Sequence, residues 1–152
     1  MVDVTLSGVR ARLLLEKSGG NMQQQGKKFI CLKLPYPPSC NRSARLGNGV
    51  IYTPADVEKY KKQVGLIYMT SRYRGICFPT ERIKVRLLCA VKTKARDLDN
   101  MFKVAFDALT DVHVWTDDKQ IYEINATKVI DPVGYMVITI EEYTEMLPEV
   151  PE

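Results

Sequence analysis

Histidine is nearly missing from this chain and long apolar runs are absent, and each shortage removes a class of function. His113 is the only histidine and Trp115 the only tryptophan among 152 residues, so nucleophile schemes built on an imidazole base have almost nothing to use. The four cysteines, Cys31, Cys40, Cys77 and Cys89, are irregularly spaced with no CxxC pair, which speaks against a Cys/His zinc centre and for free, reduced thiols. No apolar stretch approaches the ~20 residues of a membrane span. The short run Leu13-Leu14-Leu15, flanked by charges, does not resemble a secretory signal. The expectation is a cytoplasmic protein without a membrane anchor, whose chemistry rests on carboxylates and lysines.

What is present is an ordinary globular composition, 45% hydrophobic and 26% charged, of a length that suits one domain. The net charge of +4 conceals an asymmetry: residues 27–103 hold 17 Lys and Arg against five Asp and Glu, whereas residues 104–152 hold two against 11. A basic block of that size implies a polyanionic partner, with nucleic acid first in line. The bland alternative is a solvated surface whose charges cancel in three dimensions.

Residues 1–27 end in the polar stretch Gly19 to Gly26 and read as a flexible extension. From Lys28, apolar residues describe a buried strand that Pro35, Pro37 and Pro38 stop, and Ser39 to Val50 has loop composition. Thr53-Pro54-Ala55-Asp56 predicts a helix start, Thr as N-cap and Pro at the first position, with the helix running to about Arg74 and Gly75 as its stop. Ile83 to Ala90 reads as a strand, Met101 to Asp111 as a second helix. Gln120–Val129 and Gly134–Glu142 read as strands joined in an antiparallel hairpin. The order implies an α+β domain over residues 28–143, a small mixed sheet of about four strands with two main helices packed on it. The acidic tail, residues 144–152, is expected to be mobile.

The most informative stretch is Arg96-Asp97-Leu98-Asp99-Asn100, with Lys103 four residues past Asp99 and the doublet Asp117-Asp118 further on. Carboxylates at i and i+2 of an extended segment face the same way, and with a third nearby they supply hard oxygen ligands for Mg²⁺. Lys92, Lys94 and Arg96, just upstream, would draw phosphate towards them. Another account remains open: Asp97, Asp99 and Asn100 precede a helix, where such residues cap backbone N–H groups, and one of the three is expected to do so. Lys103 has two roles open as well, charge balance at a phosphate or an i,i+4 surface pair contributing ~0.3 kcal/mol. Asp117-Asp118 also suit a turn, and His113 reads as a loop residue rather than a ligand.

Three blocks, Leu34-Pro35-Tyr36-Pro37-Pro38-Ser39-x-Asn41-Arg42, Arg96-Asp97-Leu98-Asp99-Asn100-x-x-Lys103-x-x-Phe106-Asp107-Ala108-Leu109 and Trp115-x-Asp117-Asp118, resemble the RusA family of Holliday-junction resolvases over about residues 28–143. The resemblance implies a homodimeric, Mg²⁺-dependent endonuclease, with Mn²⁺ as a substitute cation, encoded by a bacterium or phage and acting in recombination and repair. Its substrate would be the four-way DNA junction, opened by paired symmetric nicks that leave 5′-phosphate ends. The family's catalytic carboxylates fall on Asp97, Asp99 and Asp118, which would hold the metal, and its active-site lysine falls on Lys103. Asn100 and Asp117 would support that group. Arg42, Arg45, Lys92, Lys94 and Arg96 would bind backbone phosphates. The N-terminal residues, the acidic tail and Cys40 depart from the family pattern without touching the acidic cluster. Two other functions compete: DNA binding without catalysis, and a nuclease for other branched DNA.

Overall fold

Alternation sets the first element: Ile30, Leu32 and Leu34 bury one face of β1 (Phe29–Pro35) while Lys33 stays exposed. The structure, a computed structural model, describes residues 27–39, 45–47 and 50–145, with 45–47 and 50–52 described by backbone alone. The expected extension, residues 1–27, apart from Lys27, the expected tail, residues 144–152, apart from Thr144 and Glu145, and Cys40 and Arg42 lie outside the described residues, and Arg45 is described without its side chain. In the stretch read as loop and just past its end, β2 (Arg45–Gly47) and β3 (Val50–Tyr52) pair antiparallel, Leu46 opposite Ile51. Two three-residue strands are too short for an alternating pattern to reveal.

α1 (Ala55–Thr70) buries Val57, Tyr60, Val64 and Tyr68, spaced three and four apart. Pro54 takes the N-cap position expected for Thr53, and no side chain caps it. The helix also stops four residues before Arg74. Ser71 turns extended, and its backbone N–H and Oγ both donate to the Tyr68 carbonyl, at 3.2 and 2.8 Å. A serine that competes for the helix carbonyls ends the helix ahead of the glycine.

β4 (Ile83–Val91), α2 (Asp99–Asp111), a 3₁₀ turn (Asp118–Gln120) and β5 (Ile121–Ile130) form a β-α-β unit in which β4 and β5 are parallel. β6 (Tyr135–Glu142) completes a four-stranded sheet in the order β1-β6-β4-β5. The expected hairpin of the last two strands does not form. β6 lies antiparallel between β1 and β4, with Ile138 opposite Leu32 on one side and Leu87 on the other. Burial explains the exchange: Met136, Ile138, Thr139 and Ile140 of β6 are buried, whereas no residue of β5 is. The strand with apolar side chains on both faces takes the interior, and the polar one takes the edge. The Asp131 N–H donates to the Val91 carbonyl at 2.9 Å, carrying the connection over the end of β4.

The apolar faces of β1, β6 and β4 share one core with α1 and α2, closed by Phe78 and Trp115. The expected α+β class, a mixed sheet with two main helices, is the one found. No helix among the described residues is long and apolar enough to cross a membrane.

Candidate active site

The β4–α2 connection carries the Asp-Leu-Asp segment, and several groups fix it. Lys128 of β5 donates from Nζ to the carbonyls of Lys94 and Arg96, at 3.1 and 3.2 Å. Arg96, half-buried, donates from Nη2 to the Pro37 carbonyl at 2.9 Å, and its guanidinium lies 5.3 Å from the Tyr36 ring centre. The Lys92 ammonium lies 5.4 Å from the same ring, in the range of a cation–π contact. Gly134, at φ 73°, lets the chain lie close on Tyr36: a Cβ there would sit 2.6 Å from Tyr36 Cδ2. An open cleft of about 720 Å³ runs alongside, lined by Tyr36, Pro37, Lys59, Gln63 and Arg96 among others.

Leu98 turns into the core between two exposed aspartates. Its backbone is helical, φ −65° and ψ −46°, so Asp97 and Asp99 leave a helical turn and not the extended segment that the i, i+2 spacing suggested. Both reach solvent because Leu98 is the residue that packs. The expectation that one of the three polar residues caps α2 is not met: Leu98 occupies the N-cap, without a side-chain bond. Asp99 is already the first helical residue, and among the described residues its Oδ1 accepts from the adjacent Asn100 N–H, at 2.9 Å. Capping therefore does not account for these two carboxylates. Exposed hard-oxygen donors on an anchored loop are of the kind that a divalent cation takes.

The second acidic pair divides its labour. Asp117 caps the 3₁₀ turn, accepting from the Lys119 N–H at 2.9 Å. That N–H is the main cause holding the Asp117 carboxyl below the ordinary range, against some desolvation. Gln120 completes a capping box, its Oε1 accepting from the N–H groups of Thr116 and Asp117 and its Nε2 donating to the carbonyls of Phe78 and Glu81. Asp118 is left exposed at the start of β5. Because β4 and β5 are parallel, with Ile83 opposite Ile121 and Val91 opposite Ile130, Asp118 lies at the other end of the sheet from Asp97 and Asp99. α2, 13 residues long and so roughly 20 Å, spans the gap. Among the described residues, no group of three His, Cys, Asp or Glu converges within the chain to hold a metal.

A sequence profile of the endodeoxyribonuclease RusA family matches residues 35–141, from the end of β1 into β6. The chain belongs to the RusA family. It is similar to the crossover junction endodeoxyribonucleases RusA of Escherichia coli strain K12, of Enterobacteria phage 82 and of Shigella sonnei strain Ss046. Each is 34% identical over 114 residues, covering 73% of this chain and 92% of the relative.

Lys103 is 61% exposed and reaches towards Asp107, 3.6 Å away, with Asp99 one turn behind on the same stripe. Lys92 and Lys94 are exposed beside the acidic loop, while Arg96 points inwards. Asn100, half-buried, follows Asp99 in the first turn. His113 adopts φ 59° just past α2. Its backbone N–H donates to the Thr110 carbonyl while the Val114 N–H donates to that of Leu109, a Schellman turn and a structural role. Sequence reasoning gave no site role to Tyr36, Gln120, Lys128 or Gly134. Two signals were available: the Asp117-x-x-Gln120 capping spacing, and Lys128 as one of only two basic residues after residue 103.

Proposed function

We propose that this protein is a divalent-metal-dependent endodeoxyribonuclease that resolves four-way DNA junctions by paired, symmetric nicks, acting in the cytoplasm in recombination and repair. The observation that carries this reading is the Asp97/Asp99 pair, exposed, free of capping duty and held on an anchored loop, in a chain of the RusA family. Asp97 and Asp99 would hold Mg²⁺, or Mn²⁺ in its place. The bound cation supplies a Lewis acid for the phosphate and a water of lowered pKa. Lys103 balances charge on the scissile phosphate. Lys92 and Lys94 hold flanking backbone phosphates, which makes affinity salt-dependent and largely indifferent to sequence. Hydrolysis leaves 5′-phosphate and 3′-hydroxyl ends.

The third carboxylate supports a homodimer. β5 is an edge strand that exposes Tyr122, Ile124 and Ile130, with Val133 in the turn beyond, and an edge of this kind is suited to pairing with a second copy. Antiparallel pairing of two β5 strands about a two-fold axis would set Asp118 of one protomer beside the partner subunit's acidic loop. Two such composite sites match a substrate that needs two symmetric cuts.

The test is a synthetic junction incubated with and without Mg²⁺. Expected are two symmetric nicks with the cation and a gel shift without cutting in EDTA. Asp99→Asn should keep the shift and lose the cutting. A junction that is shifted but never cut, under any divalent cation, would establish a DNA-binding protein without catalysis. Preferential cutting of flaps or free nucleotides would reassign the substrate.

A further inference from the structure

We propose that Lys128 is a positioning residue for the Asp97/Asp99 pair, an inference that rests on the metal-dependent reading above. Lys128 stands opposite Cys89 in the parallel register of β5 and β4, two residues before β4 gives way to the acidic loop. From there its ammonium donates to two carbonyls of that loop, Lys94 at 3.1 Å and Arg96 at 3.2 Å. The Arg96 carbonyl belongs to the peptide unit whose nitrogen is that of Asp97. Gripping it fixes the plane from which the Asp97 side chain departs.

A second anchor acts through the same residue from the other direction. The Arg96 side chain donates to the Pro37 carbonyl and lies against Tyr36. Backbone and side chain of residue 96 are thus tied to β5 and to the proline segment after β1, while the partly buried Leu98 packs against the core. Between these fixed residues, Asp97 has little freedom left. The loop itself is poorly equipped for such order, because the Arg96 N–H reaches the Thr93 carbonyl only at 3.4 Å. Two charge-assisted bonds from one ammonium supply what the backbone does not. Groups that orient ligand carboxylates typically change metal affinity or activity about 10- to 100-fold when removed.

Nothing in a surface lysine on an edge strand demands this role. A lysine that merely solubilises the edge or contacts DNA would not need to meet two carbonyls of the acidic loop, and the experiment separates the three cases. Lys128→Met keeps the length of the stem and removes the donors; Lys128→Arg restores donors. Three readouts are compared with the parent: amide hydrogen exchange over residues 92–98 without cation, gel-shift affinity for a four-way junction in EDTA, and the Mg²⁺ concentration for half-maximal cutting. Expected for Lys128→Met are faster exchange across the loop, unchanged junction affinity and a half-saturating Mg²⁺ concentration raised about 10-fold or more. Lys128→Arg should recover most of both changes. Unaltered exchange with unaltered Mg²⁺ dependence would overturn the proposal, and so would weakened junction affinity with unaltered Mg²⁺ dependence, which marks a phosphate contact. A parent that binds Mg²⁺ but cuts no DNA would refute the nuclease reading alone, since exchange and Mg²⁺ titration calorimetry of the same variants still decide whether Lys128 orders the pair.

Discussion

Four aspartates that look alike in the sequence receive different work from their surroundings. Asp97 and Asp99 flank an inward Leu98, with no capping bond to hold them, whereas Asp117 is committed to the Lys119 N–H and leaves Asp118 exposed beside it. Paired substitutions should separate the roles. Asp117→Ala removes the cap of the turn that introduces β5 and should lower Tm by a few degrees. Asp118→Asn should leave Tm unchanged and reduce junction cutting by at least about 100-fold, the scale expected when an electrostatic contributor is lost. Thermal melts and a cleavage time course distinguish them, and the reverse pattern would place Asp117 in the site. The acid limb carries a further sign. A carboxyl held low in the folded state stabilises above its unfolded pKa, and that contribution is lost as pH falls through the folded value. Asp117, lowered chiefly by the Lys119 N–H, and Glu81, lowered chiefly by its hydrogen bond with Lys28, should therefore weaken the fold together as pH drops below the ordinary carboxylate range. Glu81→Gln should lower the neutral plateau by what this pair contributes there and so flatten acid unfolding on that limb.

Among the elements, the connection between β5 and β6 has the most specific demands. Gly134 sits at φ 73° with Tyr36 where a Cβ would be, while Gly75, at φ 84°, has open space around it. Alanine at position 75 should cost roughly 1 kcal/mol, the backbone term alone. Alanine at 134 adds the collision with Tyr36 and should cost roughly 2–4 kcal/mol. It should also loosen Arg96, which rests on that ring. Denaturant unfolding of the two variants measures the difference; equal costs would show that Tyr36 moves aside freely. These contacts explain why the sequence was readable only in part. The helices and the long strands announce themselves by spacing, as Val57, Tyr60, Val64 and Tyr68 do in α1. Strand order does not, because the pairing of β6 with β1 and β4 depends on which strand best tolerates burial on both faces, a competition among segments far apart in the chain. The acidic pair stood out in the sequence as a candidate, through its residue types and the resemblance they carry. Its support was not: Lys128 lies 32 residues from Arg96 and Pro37 lies 59 residues from it, and no local pattern connects them.

On the scale of the whole molecule, the charge asymmetry of the sequence is partly folded away. Lys28 with Glu81, Lys61 with Asp111, Lys84 with Glu123 and Arg86 with Glu141 form ion pairs, three of them between the basic block and the acidic remainder. Some of the charge cancels in three dimensions, and Lys92, Lys94 and Lys103 stay exposed near the carboxylates. The acidic residues themselves pose the larger question, since Asp118 and the Asp97/Asp99 pair stand at opposite ends of the β-α-β unit. A site built from both requires two chains, and mixing inactive variants tests this directly. Asp99→Asn protein retains Asp118, and Asp118→Asn protein retains Asp97 and Asp99; each alone should fail to cut. If each site draws its carboxylates from both protomers, a mixed dimer holds one site with all three intact and one with two replaced. Subunits exchanged by mild denaturation and refolding should then recover cutting, with a single nick per junction in place of the pair. If Asp118 acted within its own chain, neither site of the mixed dimer would be whole, and the mixture would stay as inactive as its parts.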